Sequence, residues 1–279
     1  MRTNWIADGT LGRAAASSRH GPRTRRKIAL VTGSTAGIGF AIAKQLAREG
    51  ATVYVNGRTR ERVDRAVAAI GGANVSGVAA DVSTRAGTDA LVAQVPRVDV
   101  LVNNFGTFDI KPVLEIPDEE WLRFFEANVL SGVRLSRAYV PGMLQKKWGR
   151  VIFISSESAI QIPAEMVHYG MTKTAQLAVA RGIAESFPAS GVTVNSVLAG
   201  PTDSEGVGAF LESMALRAGT SKQKVADQFF ATARPSSLLK RFATTDEVAS
   251  MVTYLCSEAA SATTGSSVRV DGGVIRSIA

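Results

Sequence analysis

One cysteine, Cys256, and two histidines, His20 and His168, are all that 279 residues offer of the softer metal-binding side chains. A single thiol excludes an internal disulfide framework, and a zinc site built on His and Cys is not expected, so no metal is assigned. This cysteine usage fits a reducing, cytoplasmic setting. No run of about 18 apolar residues occurs, which argues against a membrane-spanning helix and a membrane partner. Repeats and low-complexity segments are also missing. The net charge of +8 is scarcely present in the body of the chain. Residues 1–27 hold Arg2, Arg13, Arg19, Arg23, Arg25, Arg26 and Lys27 against Asp8, a net of +6, which leaves +2 for the remaining 252 residues. Such a body is not a nucleic-acid surface, and no nucleic-acid partner is expected. Residues 1–26 read as a basic, flexible extension without the apolar core of a secretory signal; an organelle transit sequence is the alternative.

With 46% hydrophobic and 20% charged residues, the chain can bury the core of one large α/β domain over residues 27–279. From Lys27 onward, short apolar runs alternate with helix-like segments, which predicts βαβ units and a doubly wound parallel sheet with helices on both faces. Strands are expected at 28–31, 52–55, 77–80, 99–102, 151–154, 192–197 and 268–270. Helices are expected at 40–48, 61–70, 84–94, from Pro117 through Leu135, from about Val167 to Ala184, and at 245–257. Residues 203–241 break the alternation with two amphipathic stretches, 207–218 and 222–232, carrying Phe210, Leu211, Met214, Phe229 and Phe230. An insertion before the last helix, placed over the strand ends, reads as a lid.

Between the first strand and helix lies Thr32-Gly33-Ser34-Thr35-Ala36-Gly37-Ile38-Gly39. Glycines there let the backbone turn tightly and approach a pyrophosphate held at the positive end of the helix, so a dinucleotide is the expected ligand. After the second strand an acidic residue would accept the ribose hydroxyls of NAD; Asn56-Gly57-Arg58-Thr59 stands there instead. A guanidinium without a carboxylate beside it suits the 2′-phosphate of NADP, with NAD still possible. Strand-terminal Asp81-Val82 and Asn103-Asn104-Phe105-Gly106 fall where the ligand crevice of such a sheet opens.

Tyr169 and Lys173 are four residues apart, on one face if the segment is helical. An ammonium beside a phenol favours the phenolate and would lower the phenol from about 10 toward working pH, as a general acid or base requires. Ser156, ending the preceding strand, can donate to a substrate oxygen, and Asn128 can bond a backbone carbonyl or water near Lys173. Glu157, Gln161, Glu165, Met166 and His168 flank this segment and are expected to set specificity.

Thr32-Gly33-x-x-x-Gly37-x-Gly39, Asn103-Asn104-x-Gly106, Asn128, Ser156, Tyr169-x-x-x-Lys173 and Asp271-Gly272-Gly273, in that order, resemble the short-chain dehydrogenases/reductases. The resemblance spans residues 27–279 and implies a single-domain Rossmann fold of about seven parallel strands, assembled as a homotetramer or homodimer. It implies Tyr169 as general acid/base, Lys173 as its partner and ribose ligand, Ser156 orienting the substrate oxygen, and Asn128 holding a water in a proton relay. Gly33, Ser34, Thr35, Gly37, Ile38, Gly39, Arg58, Thr59, Asp81, Val82, Asn104, Phe105, Gly106, Gly200 and Thr202 would line NADP, with Asp81 at adenine and Thr202 at the carboxamide. Ala199 before Gly200, and Phe105 within Asn-Asn-x-Gly, depart from the family pattern. The implied function interconverts a carbonyl and an alcohol with a nicotinamide cofactor. The rival reading is a catalytically silent nucleotide-binding sensor or scaffold.

Overall fold

A computed structural model describes residue 24 and residues 26–278. Apart from Thr24 and Arg26, the basic extension read from residues 1–26 lies outside the described residues. Seven strands, β1 (Ile28–Val31), β2 (Thr52–Gly57), β3 (Val75–Ala79), β4 (Val100–Asn103), β5 (Gly149–Ser156), β6 (Val192–Ala199) and β9 (Ser267–Val270), form one sheet in the order β3-β2-β1-β4-β5-β6-β9. Every pairing in it is parallel. Parallel strands are covered on both faces, and alternate residues show it. Ala29, Val31, Val100 and Val102 pack toward α1 (Gly37–Arg48) and α9 (Thr245–Leu255). Leu30 and Leu101 pack toward the other layer, with α3 (Arg85–Gln94), α5 (Ser131–Gln145) and α6 (Val167–Ser186). α2 (Arg60–Ile70) packs on β2 and β3, and α4 (Asp118–Phe125) leads into α5. Among the described residues no helix is long and apolar enough to cross a membrane.

The strand order reverses between β1 and β4, so the connections that follow them leave to opposite sides and open a crevice at their carboxyl ends. Residues after β1, β4, β5 and β6 therefore meet at one edge. The insertion is α7 (Glu205–Arg217) and α8 (Lys222–Thr232). Its ends are joined by a parallel ladder outside the main sheet, β7 (Thr202–Asp203) on β8 (Ala243–Thr244).

Several boundaries differ from those expected. β2 runs on to Gly57, because Gly57 and Ala79 pair at the end of the β2–β3 register. α7 starts at Glu205 because the Ser204 hydroxyl accepts from the Val207 N–H and caps it. The helix expected to run unbroken from Pro117 is interrupted by a π turn, Glu126–Leu130, that contains Asn128.

Candidate active site

The cofactor end of the crevice is built by a junction between two loops. Thr32 Oγ1 donates to the Val102 carbonyl and accepts from the N–H groups of Asn104 and Phe105, each at 3.0 Å. Asn104 Nδ2 in turn donates to the carbonyls of Thr32 (2.9 Å) and Gly33 (3.0 Å). Gly39 is dictated by this stitch: a Cβ there would lie 2.4 Å from Asn104 Nδ2 and 2.6 Å from the Gly33 carbonyl. At the N-terminus of α1, Ala36 supplies no side-chain cap and the first turn carries no acidic residue. Free N–H groups and the positive end of the helix dipole fit a pyrophosphate.

At the other end, β5 and α6 bring Ser156, Tyr169 and Lys173 together. Lys173 is buried, and its Nζ donates to the Ile154 carbonyl (2.9 Å) and to Gln176 Oε1 (3.3 Å). Burial pulls this ammonium down to about 8. Asn128 Oδ1 accepts from the Thr107 N–H at 2.7 Å, and its Nδ2 donates to the Thr107 carbonyl and to Thr172 Oγ1. Gly106 leaves room between these two residues, since a Cβ would come 3.3 Å from Asn128 Oδ1 and 3.4 Å from Lys173 Nζ. Ser156 Oγ donates to the Glu157 carboxylate and accepts from the Ser158 N–H.

A continuous cleft of about 640 Å³ joins the two ends, lined by Gly37, Ile38 and Gly39, then Asn104 and Gly106, then Ser156, Tyr169 and Lys173. Gly200 and Thr202 line it too, as do Leu211, Met214 and Phe229 from the insertion. A family profile described as enoyl-(acyl carrier protein) reductase matches residues 33–275. This chain belongs to the short-chain dehydrogenase/reductase family. It is an NAD(P)-dependent oxidoreductase of that family. It is 45% identical over 258 residues to the uncharacterized oxidoreductase YvrD of Bacillus subtilis, covering 91% of this chain and 98% of that protein. To the 3-oxoacyl-[acyl-carrier-protein] reductase FabG of Escherichia coli it is 32% identical over 252 residues, 89% of this chain and 97% of that one. The crystal structure of L-sorbose reductase from Gluconobacter frateurii, complexed with NADPH and L-sorbose, superposes with a TM-score of 0.87 at 32% identity, over 92% of this chain and 99% of that chain.

Not every expected residue of this oxidoreductase faces the cleft. Gly33 donates its N–H to Asn56 Oδ1 (3.3 Å), and Ser34 is buried, its hydroxyl donating to the Val31 carbonyl (2.6 Å) and accepting from the Asn56 N–H. Both serve the turn through Asn56, whose part the residue pattern did not announce. Thr35 packs its methyl against Gly57. Arg58 and Thr59 are exposed where β2 meets α2. Asp81 Oδ1 accepts from the N–H (3.1 Å) and hydroxyl (2.7 Å) of Ser83, while the Val82 side chain lies in the core and Phe105 packs beside it. Thr202 is buried and donates to the Gly200 carbonyl at 2.9 Å.

Two expectations are corrected. The phenol of Tyr169 is raised, not lowered: burial comes first, then the Glu157 carboxylate, against the pull of a Ser156 hydrogen bond and of Arg234. Lys173 does not offset this, because its ammonium is turned to the Ile154 carbonyl, 5.5 Å from the centre of the phenol ring. Asn128 does bond a backbone carbonyl, that of Thr107, and a side chain joins it to Lys173: Gln176 Nε2 donates to the Asn128 carbonyl (2.6 Å) and Gln176 Oε1 accepts from Lys173. His168 does not flank the substrate, being buried against Phe124 and Trp121 and 3.7 Å from Glu120. Gln161 donates to Ser236 Oγ at 3.5 Å, whereas Glu157, Glu165 and Met166 do line the cleft. Gln176 and Arg234 escaped the sequence reading because neither belongs to a spaced motif.

Proposed function

We propose that this protein interconverts a carbonyl and an alcohol with NADP(H), with Tyr169 as the acid that protonates the carbonyl oxygen or the base that deprotonates the alcohol. The observation that carries this reading is one cleft shared by Tyr169, Ser156 and Lys173 and by the glycine loop and Thr202. The nicotinamide, when bound, supplies or takes the hydride. A phenol raised by burial stays protonated at neutral pH and is ready to give its proton. Ser156 lies beside that phenol and orients the reacting oxygen. Lys173, held by Ile154 and Gln176, carries a proton that it can surrender at about pH 8, and Gln176 fixes that ammonium against the Asn128 backbone. Asn128 itself holds the Gly106–Thr107 backbone beside the cofactor's place.

NADP is favoured over NAD by Arg58 at the end of β2, where no carboxylate follows, and by the relative solved with NADPH. The substrate wall is mostly apolar, with Phe108, Ile110, Met166 and Phe242. Its charges near Tyr169 balance, Glu157 and Glu165 against Arg234 and Lys173, and with the apolar wall this favours a neutral carbonyl. The exposed side chains Leu122 and Phe125 lie three residues apart on α4, and a second copy of the chain is the partner proposed for that face.

A panel of neutral and anionic aldehydes and ketones, followed by NADPH and NADH absorbance, tests the reading. Oxidation of NADPH by neutral members is expected; indifference to every carbonyl would contradict it. Arg58→Ala should weaken NADPH binding about tenfold or more and leave NADH binding nearly unchanged. Equal effects on both would remove the 2′-phosphate role.

A further inference from the structure

The substrate side holds an ion pair that the proposed chemistry does not use. Glu157 directly follows the serine at the end of β5, and Arg234 comes from the segment after α8, 77 residues away in sequence. Arg234 Nε donates to Glu157 Oε1 at 2.7 Å, and Glu157 Oε2 accepts from the Ser156 hydroxyl and from the Ser158 N–H (2.9 Å). Ser156, Glu157 and Arg234 are exposed by only 6%, 4% and 9%, so this is a connected, largely buried chain in the cleft wall, where hydrogen bonds to charged groups are strong.

A serine hydroxyl has one proton. Given to an ionised carboxylate, which can only accept, that proton is unavailable to a phenolate. The pull of the Ser156 hydroxyl toward an ionised Tyr169 phenol is thereby weakened. We propose that Glu157 and Arg234 are positioning residues acting on the Tyr169 hydroxyl with opposite effect: Glu157 commits the Ser156 proton and keeps the phenol in its acid form, while Arg234 draws the carboxylate's charge away. This rests on the reading of Tyr169 as the acid, and it biases the resting site toward carbonyl reduction.

The groups facing the phenol agree. Glu157 comes from the turn after β5, Arg234 from the segment after α8, and Glu165, 3.9 Å from Arg234 Nη1, from the turn before α6. Lys173 is on α6 itself, and the loop after β4 contributes the uncharged ring of Phe108. Of these, Glu157 raises the phenol and Arg234 lowers it, as the Ser156 hydrogen bond does. A pair that merely tied α8 to the sheet would move stability and leave the phenol's titration alone.

Tyrosine labelled with carbon-13 at Cζ reports ionisation directly, and with four tyrosines the Tyr169 signal is the one missing from Tyr169→Phe. The titration is run on the ligand-free chain and with NADP added as oxidised cofactor. Glu157→Gln should move the Tyr169 midpoint down by about one pH unit or more, and Arg234→Gln should move it up, with Arg234→Lys close to wild type. Where the midpoint lies above the pH at which the chain unfolds, the ionised fraction just below that pH is compared, and Glu157→Gln must show the larger one. Should Glu157→Gln not fold, the neutral pair Glu157→Gln/Arg234→Met should have a Tyr169 midpoint below that of wild type. An unmoved Tyr169 signal in the Glu157 variant, or shifts of the same sign in both, overturns the proposal. Turnover surviving in Tyr169→Phe would instead remove the acid role, a separate failure that this titration does not produce.

Discussion

Lys173 is held in the cleft at a cost to the fold. Its ammonium is lowered from 10.5 to about 8 by burial, so the folded chain binds the proton more weakly than the unfolded one. Below about pH 8 both states are protonated and the whole cost is present; between about 8 and 10.5 only the unfolded state keeps the proton, and stability rises with pH. Urea unfolding of the ligand-free wild type and of Lys173→Met should therefore diverge across that window, by about 3 kcal/mol in favour of wild type. A pH-independent difference would contradict it. At this scale the sequence showed its chemistry where residues lie close together: Tyr169 and Lys173 share a helical face, and Ser156 ends the strand before them. It hid what arrives from afar. Arg234 meets Glu157 only once the insertion folds back, and nothing in the spacing tells that Lys173 turns to the Ile154 carbonyl.

Among the elements, the return from the insertion is secured by α9. Thr244 Oγ1 accepts from the Glu247 N–H (3.1 Å), Glu247 Oε2 accepts from the Thr244 N–H (2.8 Å), and Arg241 pairs with the same carboxylate at 2.7 Å. This capping box sits on β8, whose ladder with β7 closes the base of the insertion. Thr244→Ala should lower stability by about 1 kcal/mol in thermal or urea unfolding, with Thr244→Ser recovering most of it. No loss would mean that the cap is idle. Helix and strand identities were legible because their periods are sharp, as in the alternation of Ala29, Leu30 and Val31 between two core layers. The π turn at Glu126–Leu130 was not, since one extra residue in a turn leaves the apolar spacing of α4 and α5 nearly intact. The β7–β8 ladder is two residues per strand, too short for any pattern.

For the molecule as a whole, the order β3-β2-β1-β4-β5-β6-β9 puts the glycine loop, Asn104, Ser156 and Thr202 on one edge. The proposed self-association belongs here as well. Light scattering on the purified chain should give a dimer or tetramer, and Leu122→Glu should reduce the mass while leaving circular dichroism unchanged; a monomer in wild type would remove the proposed partner. The central claim is that one phenol moves the proton. Its most direct measurement is steady-state NADPH oxidation by Tyr169→Phe with the best carbonyl of the panel, alongside NADPH affinity by fluorescence titration. The account predicts a fall in kcat of at least about a hundredfold at nearly unchanged affinity. Turnover close to wild type would contradict it.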